Sequence, residues 1–388
     1  RRAARRVGYH PGRSAIPDET HAMHSHPGLA LLLVVCLLLP ACKQPIQQNL
    51  YVSTGQGSTL RVYDLESGDG KLTAVEDIPL EGPGGPIAMS PDNRTLYVAI
   101  TAPPRVAAYR RDPKAGTLTH LGTTPIPARA VYLDIDATGR YAITASYGEG
   151  QVNTFAIAED RTLVEQPAHS VITTRTAHAC LIDPTNTWVF IPHTVPNTIY
   201  QFVFDERSGR LLPNRPPLVA GGTTGINAEN PQGPRHYTYH PTLPVMYVVN
   251  ELDSSVAAYQ LDPRKGTLER FQSLTTLPKD FTKPNTCADI HVTPDGRFVY
   301  ASNRGHNSIA AYQIHPTTGM MRFVGRYPTE PVPREFEIDT TGRYLFSGGL
   351  RSHKLAAYQI DPATGALTRI ATYDTPENPM WLTAVPKD

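Results

Sequence analysis

The motifs that announce the common catalytic machineries are missing from this 388-residue chain. It has no G-x-S-x-G elbow, no H-E-x-x-H pair and no EF-hand loop, which argues against the serine-elbow hydrolases, the zincins and EF-hand calcium sites. No C-x-x-C-H is present to attach haem, so a redox propeller or electron carrier is remote. Charge is sparse: 18 % charged residues and a net charge of +1 leave no basic stripe for a nucleic acid. Cysteine is scarce too, with four in all. Cys36 and Cys42 lie near the N-terminus, while Cys180 and Cys287 are far apart, show no zinc spacing and are expected to be buried small apolar residues. Nowhere do apolar residues recur at helical spacing over a long stretch. What is abundant is proline (37) and glycine (29), the composition of a chain with many turns.

One hydrophobic run stands apart. Residues 1–22 are Arg-rich, begin without methionine and read as an upstream extension, which puts the expected start at Met23. From there the run Leu29–Leu39 is short for a membrane span but suits the core of a signal peptide. It ends in LPAC, which resembles the bacterial lipobox. The resemblance implies cleavage before Cys42 and a lipid on its thiol, so 23–42 is the expected signal segment and 43–48 a short tether. The expected compartment is the bacterial cell envelope, with the protein in the periplasm, anchored to the outer membrane through Cys42 alone.

From residue 49 onward two phrases alternate. An aromatic residue followed by a Pro/Gly/Asp turn recurs around Tyr63, Tyr109, Phe155, Phe202, Tyr259, Tyr312 and Tyr358, as in YQLDPRKGTLER from Tyr259. Between these copies comes a polar turn leading into an apolar strand, as in SPDNRTLYVA from Ser90 and TPDGRFVYASN from Thr293. A period of 46 to 57 residues is the mark of repeat arrays or propellers. The first copy, NLYVSTG from Asn49, lacks its preceding turn, and PMWLTAVP near the C-terminus supplies the strand that would come before it. Residues 49–388 are therefore expected to form an all-β fold, a seven-bladed β-propeller of four-stranded antiparallel blades, closed by pairing of the N- and C-terminal strands. Such closure removes exposed sheet edges.

That architecture sorts the side chains. Counting back six residues from the turn position of each blade gives Gly85, Val131, His178, Arg235, Ala288 and Arg334 at one mouth of the channel-lining strands. Three of the six are His or Arg, where packing alone would ask for small or apolar residues. The neighbouring loops add Glu251 after YVVN, Arg304 after YASN and His193 in FIPHTV. The repeat lengthens to 57 and 53 residues just before Arg235 and Ala288, against 46 or 47 elsewhere, so the insertions fall on the same face. A lone rim charge is usually solvated surface; convergence of His178, Arg235, Arg334, Glu251 and Arg304 on one funnel reads instead as a site for an anion, because guanidinium forks match carboxylate and phosphate.

At these residues the chain resembles a known family. GPRHYTYHP with NEL, ADIHVTPDGR with SNRGHNS, PREFEIDTTGR and NPMWLTAV look like the propeller-type 6-phosphogluconolactonases and the related carboxy-muconate cyclases. The resemblance implies a metal-independent, cofactor-free lactonase acting on a small anionic lactone, with catalytic residues at His178, Arg235, Glu251 and Arg304. Arg334, His193, His236, Asn250 and Asn303 are the expected substrate contacts. Either Glu251 or His178 would be the base, and the arginines would stabilise the oxyanion. Asn250, Asn303 and Asp289 could approach an axial ion, but three arginines beside a cation are unfavourable. An exported family member would meet gluconolactone or another carboxylated lactone more readily than a phosphorylated one. The competing reading is a non-catalytic YVTN-like propeller that binds an anionic ligand or an envelope partner; a closed ring of this kind is expected to be a monomer.

Overall fold

The computed structural model describes residues 46–224 and 230–388. The extension 1–22, the signal segment 23–42 and Cys42 lie outside the described residues, and no helix among the described residues is long and apolar enough to cross a membrane.

Seven antiparallel sheets follow one another around a ring. The first is completed by the two ends of the chain: Pro379–Pro386 lies innermost beside Gln48–Thr54, followed by Thr59–Leu65 and Leu72–Pro79. The pairing of Gln48 with Pro386 through Ser53 with Trp381 is the closure expected from the split first repeat. Blades two, three, five, six and seven begin with the inner strands Gly84–Met89, Ala130–Ile135, Pro234–Tyr239, Cys287–Val292 and Pro333–Ile338. In blade four the innermost segment is joined to its neighbour Trp188–His193 by isolated bridges at Ala177 and Ile182 and not by a continuous ladder.

Strands this apolar are stable because both faces of each sheet are covered. The hydrophobic core divides into seven clusters, each shared by two adjacent blades, the cluster around Leu50, Tyr344 and Phe346 joining the first blade to the last. Each buried Leu, Val or Phe contributes roughly 1.5–3 kcal/mol. The recurring aromatics Tyr63, Tyr109, Phe155, Phe202, Tyr259, Tyr312 and Tyr358 all belong to these clusters. On the face opposite the insertions, the turns are held by side chains that cap backbone amides. Asp136 accepts from the amides of Arg140 and Tyr141, and Asp339 from those of Arg343 and Tyr344.

The feature that matters for function is a bulge. Every inner strand carries one residue more than the strand it pairs with. Pro234 faces Asn250 and His236 faces Val249, leaving Arg235 over; Val131 and Arg334 are left over in the same way. The register shifts within Gly84–Ile87, Cys287–Ile290 and Pro379–Trp381, and between the two bridges of blade four, give the same excess. A bulge breaks the strict alternation of a strand and re-aims a side chain. Here it lets two successive residues, such as Arg235 and His236, both turn to the axis. Beyond it the alternation resumes, so Ile87, Leu133, Cys180, Tyr237, Ile290, Phe336 and Leu382 go into the cores between blades. The next residues in each strand, among them Asp134, His291 and Glu337, line the axial channel.

Candidate active site

The mouth of the ring on the bulge side holds a pit of about 430 Å³, lined by His178, Glu251, Arg304 and Arg334 together with Val131, Arg129, Tyr147, Gly148 and Glu149. Four polar residues read from the sequence thus meet, although they lie on blades four to seven. Glu251 and Arg304 sit at the first position after their strands because the preceding asparagines pin the turns. Asn250 Nδ2 donates to Ser255 Oγ (2.9 Å), and Asn303 Nδ2 donates to Ser308 Oγ (3.2 Å), five residues on in both blades. Both asparagines are fully buried, so they position the loops rather than line the pit.

Arg304 Nη2 donates to Glu251 Oε1 (2.6 Å) and to the carbonyl of Cys287 (2.9 Å). The other carboxylate oxygen lies 3.4 Å from Arg235 Nε. Arg235 itself is completely buried beneath the pit and donates from Nη1 to the carbonyl of Ala288. Its Nη2 is 3.9 Å from Glu335 Oε1, and Arg334 Nε is 4.0 Å from the same oxygen. Burial draws Arg235 below the usual guanidinium value, the repulsion of Arg334 and Arg304 adds to this, and Glu335 and Glu251 oppose it. Burial likewise lowers Arg334.

His178 closes one side of the pit. Burial first, then Arg235, His236 and Arg334, hold its imidazole well below the ordinary value, so it is neutral at physiological pH. Tyr147 packs edge-on to it at 5.3 Å between centroids, and His236 lies behind it at 5.1 Å. His236 is buried and does not line the pit; its Nδ1 bonds to Asp289 Oδ1 (3.0 Å). Asp289 Oδ2 bonds to His291 Nε2 (2.9 Å) and accepts from the amide of Phe336 (3.2 Å). Against the effect of burial, His291 and His236 hold Asp289 well below the carboxylate range. Burial and Asp289 push Glu335 well above it, with Arg235 and Arg334 opposing. His193 is not part of the pit: it is buried, its ring nitrogens meet the carbonyl of Ile191 and the hydroxyl of Thr173, each at 3.0 Å, and it packs on Tyr200.

Eight buried polar atoms of this cluster lack a hydrogen-bond partner among the described residues: His178 Nδ1, Arg235 Nε and Nη2, His236 Nε2, Glu251 Oε2, Arg304 Nε, Arg334 Nε and Glu335 Oε1. Unsatisfied groups on this scale are costly in a folded protein and mark a site built for something other than stability. Ligand atoms of His236, Asp289 and Glu335 come within 4.8 Å of one another, close enough for a metal. Yet His236 Nδ1 is already bonded to Asp289, and Arg235 and Arg334 bring to Glu335 the positive charge a cation would supply. The trio is better described as part of a hydrogen-bonded network.

Glu335, Arg129, Tyr147 and Glu149 are not singled out by the sequence, and Asp289 is named there only as able to approach an axial ion. Asp289 and Glu335 follow the bulge position by one residue, as His236 does, so counting back five instead of six from each turn finds the layer behind the pit. Arg129, Tyr147 and Glu149 carry no comparable signal, since they belong to loops of blade three whose positions the repeat does not define.

Known proteins share this arrangement of blades. The family model described as Lactonase, 7-bladed beta-propeller matches residues 47–384. A 6-phosphogluconolactonase of Pectobacterium carotovorum is 35 % identical over 76 % of this chain and 86 % of its own length. That of Cronobacter sakazakii is 34 % identical over the same shares. Among solved structures, the periplasmic gluconolactonase of Pseudomonas aeruginosa superposes with a TM-score of 0.80, covering 88 % of this chain and all of the other at 23 % identity, a likeness of fold.

Proposed function

This chain belongs to the seven-bladed β-propeller lactonase family, and from that premise we propose that it hydrolyses a sugar-acid lactone in the pit between Glu251, Arg304, Arg334 and His178. The observation that carries the reading is the division of roles among those groups. Glu251 Oε1 accepts from Arg304 at 2.6 Å and Oε2 is buried 3.4 Å from Arg235 Nε, so neither oxygen is presented to a water in the pit. His178 is neutral and open to the pit, so it serves as the base. Arg304 and Arg334, also lining the pit, stabilise the oxyanion as water adds to the carbonyl; donors of this kind are typically worth about 2.7–4 kcal/mol each. Arg235 acts from below by holding Glu251 in place. As the ring opens, the alkoxide leaving group takes the proton from His178, giving the hydroxy acid.

The relatives named for 6-phosphogluconolactone and gluconolactone support a sugar-acid lactone as substrate. The apolar run ending at Cys42 supports export, with the ring as a monomer tethered in the periplasm by lipid at that thiol. In that compartment a non-phosphorylated lactone is the better fit. A panel of δ-lactones including gluconolactone and its 6-phosphate, followed by proton release with a chelator present, tests both points. Catalysed opening that the chelator leaves unchanged is expected; failure to accelerate any member would sink the lactonase reading.

A further inference from the structure

Behind His178 two imidazoles and a carboxylate stand in a row that lactone opening, as described so far, does not use. His178 Nδ1 and His236 Nε2 are both buried, both lack a hydrogen-bond partner among the described residues, and belong to rings 5.1 Å apart at 72°. The far nitrogen of His236 is bonded to Asp289 Oδ1 at 3.0 Å. An ionised carboxylate can only accept, so this contact puts the proton on Nδ1 of His236 and leaves Nε2 a bare lone pair. The ring nearest to His236 is that of His178, whose Nδ1 is also unpartnered, and the two nitrogens can satisfy each other only if His178 Nδ1 carries a proton.

We propose that Asp289 and His236 are positioning residues that fix the tautomer of His178, with Nδ1–H of His178 directed at His236 Nε2 and Nε2 of His178 bare toward the pit. The inference rests on the lactonase reading for its kinetic consequence but not for its tautomers. When water adds to the lactone, its O–H bond breaks, the oxygen bonds to the carbonyl carbon and the proton goes to His178 Nε2. The imidazolium so formed keeps its Nδ1–H on His236, whose own Nδ1–H stays on Asp289. The carboxylate remains ionised throughout and stabilises the new charge through the intervening ring. When the leaving alkoxide takes the proton back, the row returns to its starting state. The same logic orients the base in Ser-His-Asp hydrolases, where the carboxylate sets the tautomer without being protonated.

The surroundings agree with this assignment. His236 is faced by Asp289 from blade six, Glu335 from blade seven at 3.9 Å, Tyr132 from blade three at 5.2 Å, Trp381 from the closing strand at 5.8 Å, His178 from blade four and Arg235 of its own strand. His178 is faced by Tyr147, His236, Arg235 and Arg334. The cations oppose a second positive charge, and Asp289 offsets them. Protonated His291 on the other oxygen of Asp289 keeps the carboxylate ionised.

The test has an arm that needs no substrate. Long-range ¹H–¹⁵N spectra of histidine-labelled wild-type protein report which nitrogen of each ring is protonated. The expected result is Nδ1–H on both His178 and His236; an Nε2–H tautomer on either overturns the proposal whether or not the protein is a lactonase. The kinetic arm uses D289N on a lactone that the wild type opens. The expected result is a loss on the order of a hundredfold in kcat with KM nearly unchanged, and an acid limb of kcat/KM displaced to lower pH as the supporting negative charge is lost. A folded D289N with wild-type kcat and acid limb refutes the assignment.

Discussion

Two arginines of this protein, Arg111 and Arg235, are buried almost completely, and the chain treats them in opposite ways. Arg111 has its guanidinium nitrogens bonded on every side. Nε donates to the Tyr51 hydroxyl (2.8 Å), Nη1 to the Asn93 carbonyl (3.3 Å), and Nη2 to Asn49 Oδ1 (3.0 Å) and the Pro386 carbonyl (2.9 Å). Its partners include the first strand and the last, so it helps to fasten the ring where the two chain ends meet. Arg235 donates only from Nη1, while Nε and Nη2 face carboxylates without a hydrogen bond. Both side chains lose their hydration on folding. Only Arg111 recovers it in full; in the proposed mechanism the under-bonded Arg235 is kept for the positive charge it holds against Glu251 beneath the pit.

The largest effect should come from removing that charge. Arg235→Met should lower kcat/KM by at least about a hundredfold, consistent with the loss of one electrostatic contact at an oxyanion site. Its urea midpoint should fall only modestly, because Arg304 and Arg334 remain beside Glu251 and Glu335 when this poorly bonded partner is removed. Wild-type turnover in this variant would remove Arg235 from the machinery. Arg111→Met should do the reverse, costing about 3 kcal/mol of folding stability by taking the donor from buried Asn49 Oδ1 and from the Pro386 carbonyl, with kcat unaltered. Denaturant melts and turnover on the two proteins break the comparison if both variants fail in the same way.

Arg304 sharpens it further, because it lines the pit and still carries two good bonds, to Glu251 and to the Cys287 carbonyl. Arg304→Lys keeps the charge and loses the fork. A fall of about tenfold in kcat/KM, or 1.4 kcal/mol, is expected. No change would mean that charge alone suffices there.

How much of this could be read from the residues follows from what repeats record. The period and the split first blade determined the ring, because a strand missing its partner at one end of the chain and present at the other admits few solutions. The turn positions also located Arg235, His178 and Arg334 at one mouth, since the count from turn to bulge is constant. His193, Asn250 and Asn303 sit at the predicted mouth yet turn away from the pit, because strand alternation decides the face and a residue beside a turn looks alike on either side. The layer behind the pit is legible only in part: the sequence names His236 as a substrate contact and Asp289 beside an axial ion, and misses Glu335, because only the extra residue of the bulge lets two neighbours both point inward. Arg129 and Tyr147 depend on loop conformation, which the repeat does not encode.

The smallest effect concerns pH, and it separates the pit from the channel behind it. Burial raises Asp134 and Glu337 from 3.8 and 4.5 to about 7, while Asp289 raises His291 from 6.5 to about 9 against the effect of burial. In each case the folded protein holds a proton that the unfolded chain gives up at lower pH, so stability falls as pH rises through the interval between the two values. The two carboxyls act between about pH 4 and 7 and His291 between about 6.5 and 9, so the declines add. Asp289, held well below its usual value, contributes in the other direction, and that stability is lost only as the solution becomes strongly acidic. His178, His236 and His193, held low by burial, act against the two carboxyls below about pH 6.5, so thermal melts at constant ionic strength should show a midpoint that falls chiefly between about pH 6.5 and 9. Asp134→Asn with Glu337→Gln should make the midpoint rise more steeply with pH below about 7, and His291→Gln should flatten the fall above it. Because Asp134, Glu337 and His291 line the channel and not the pit, the first pair should leave the pH dependence of turnover in place. A parallel shift of both profiles would show that channel and pit titrate as one unit.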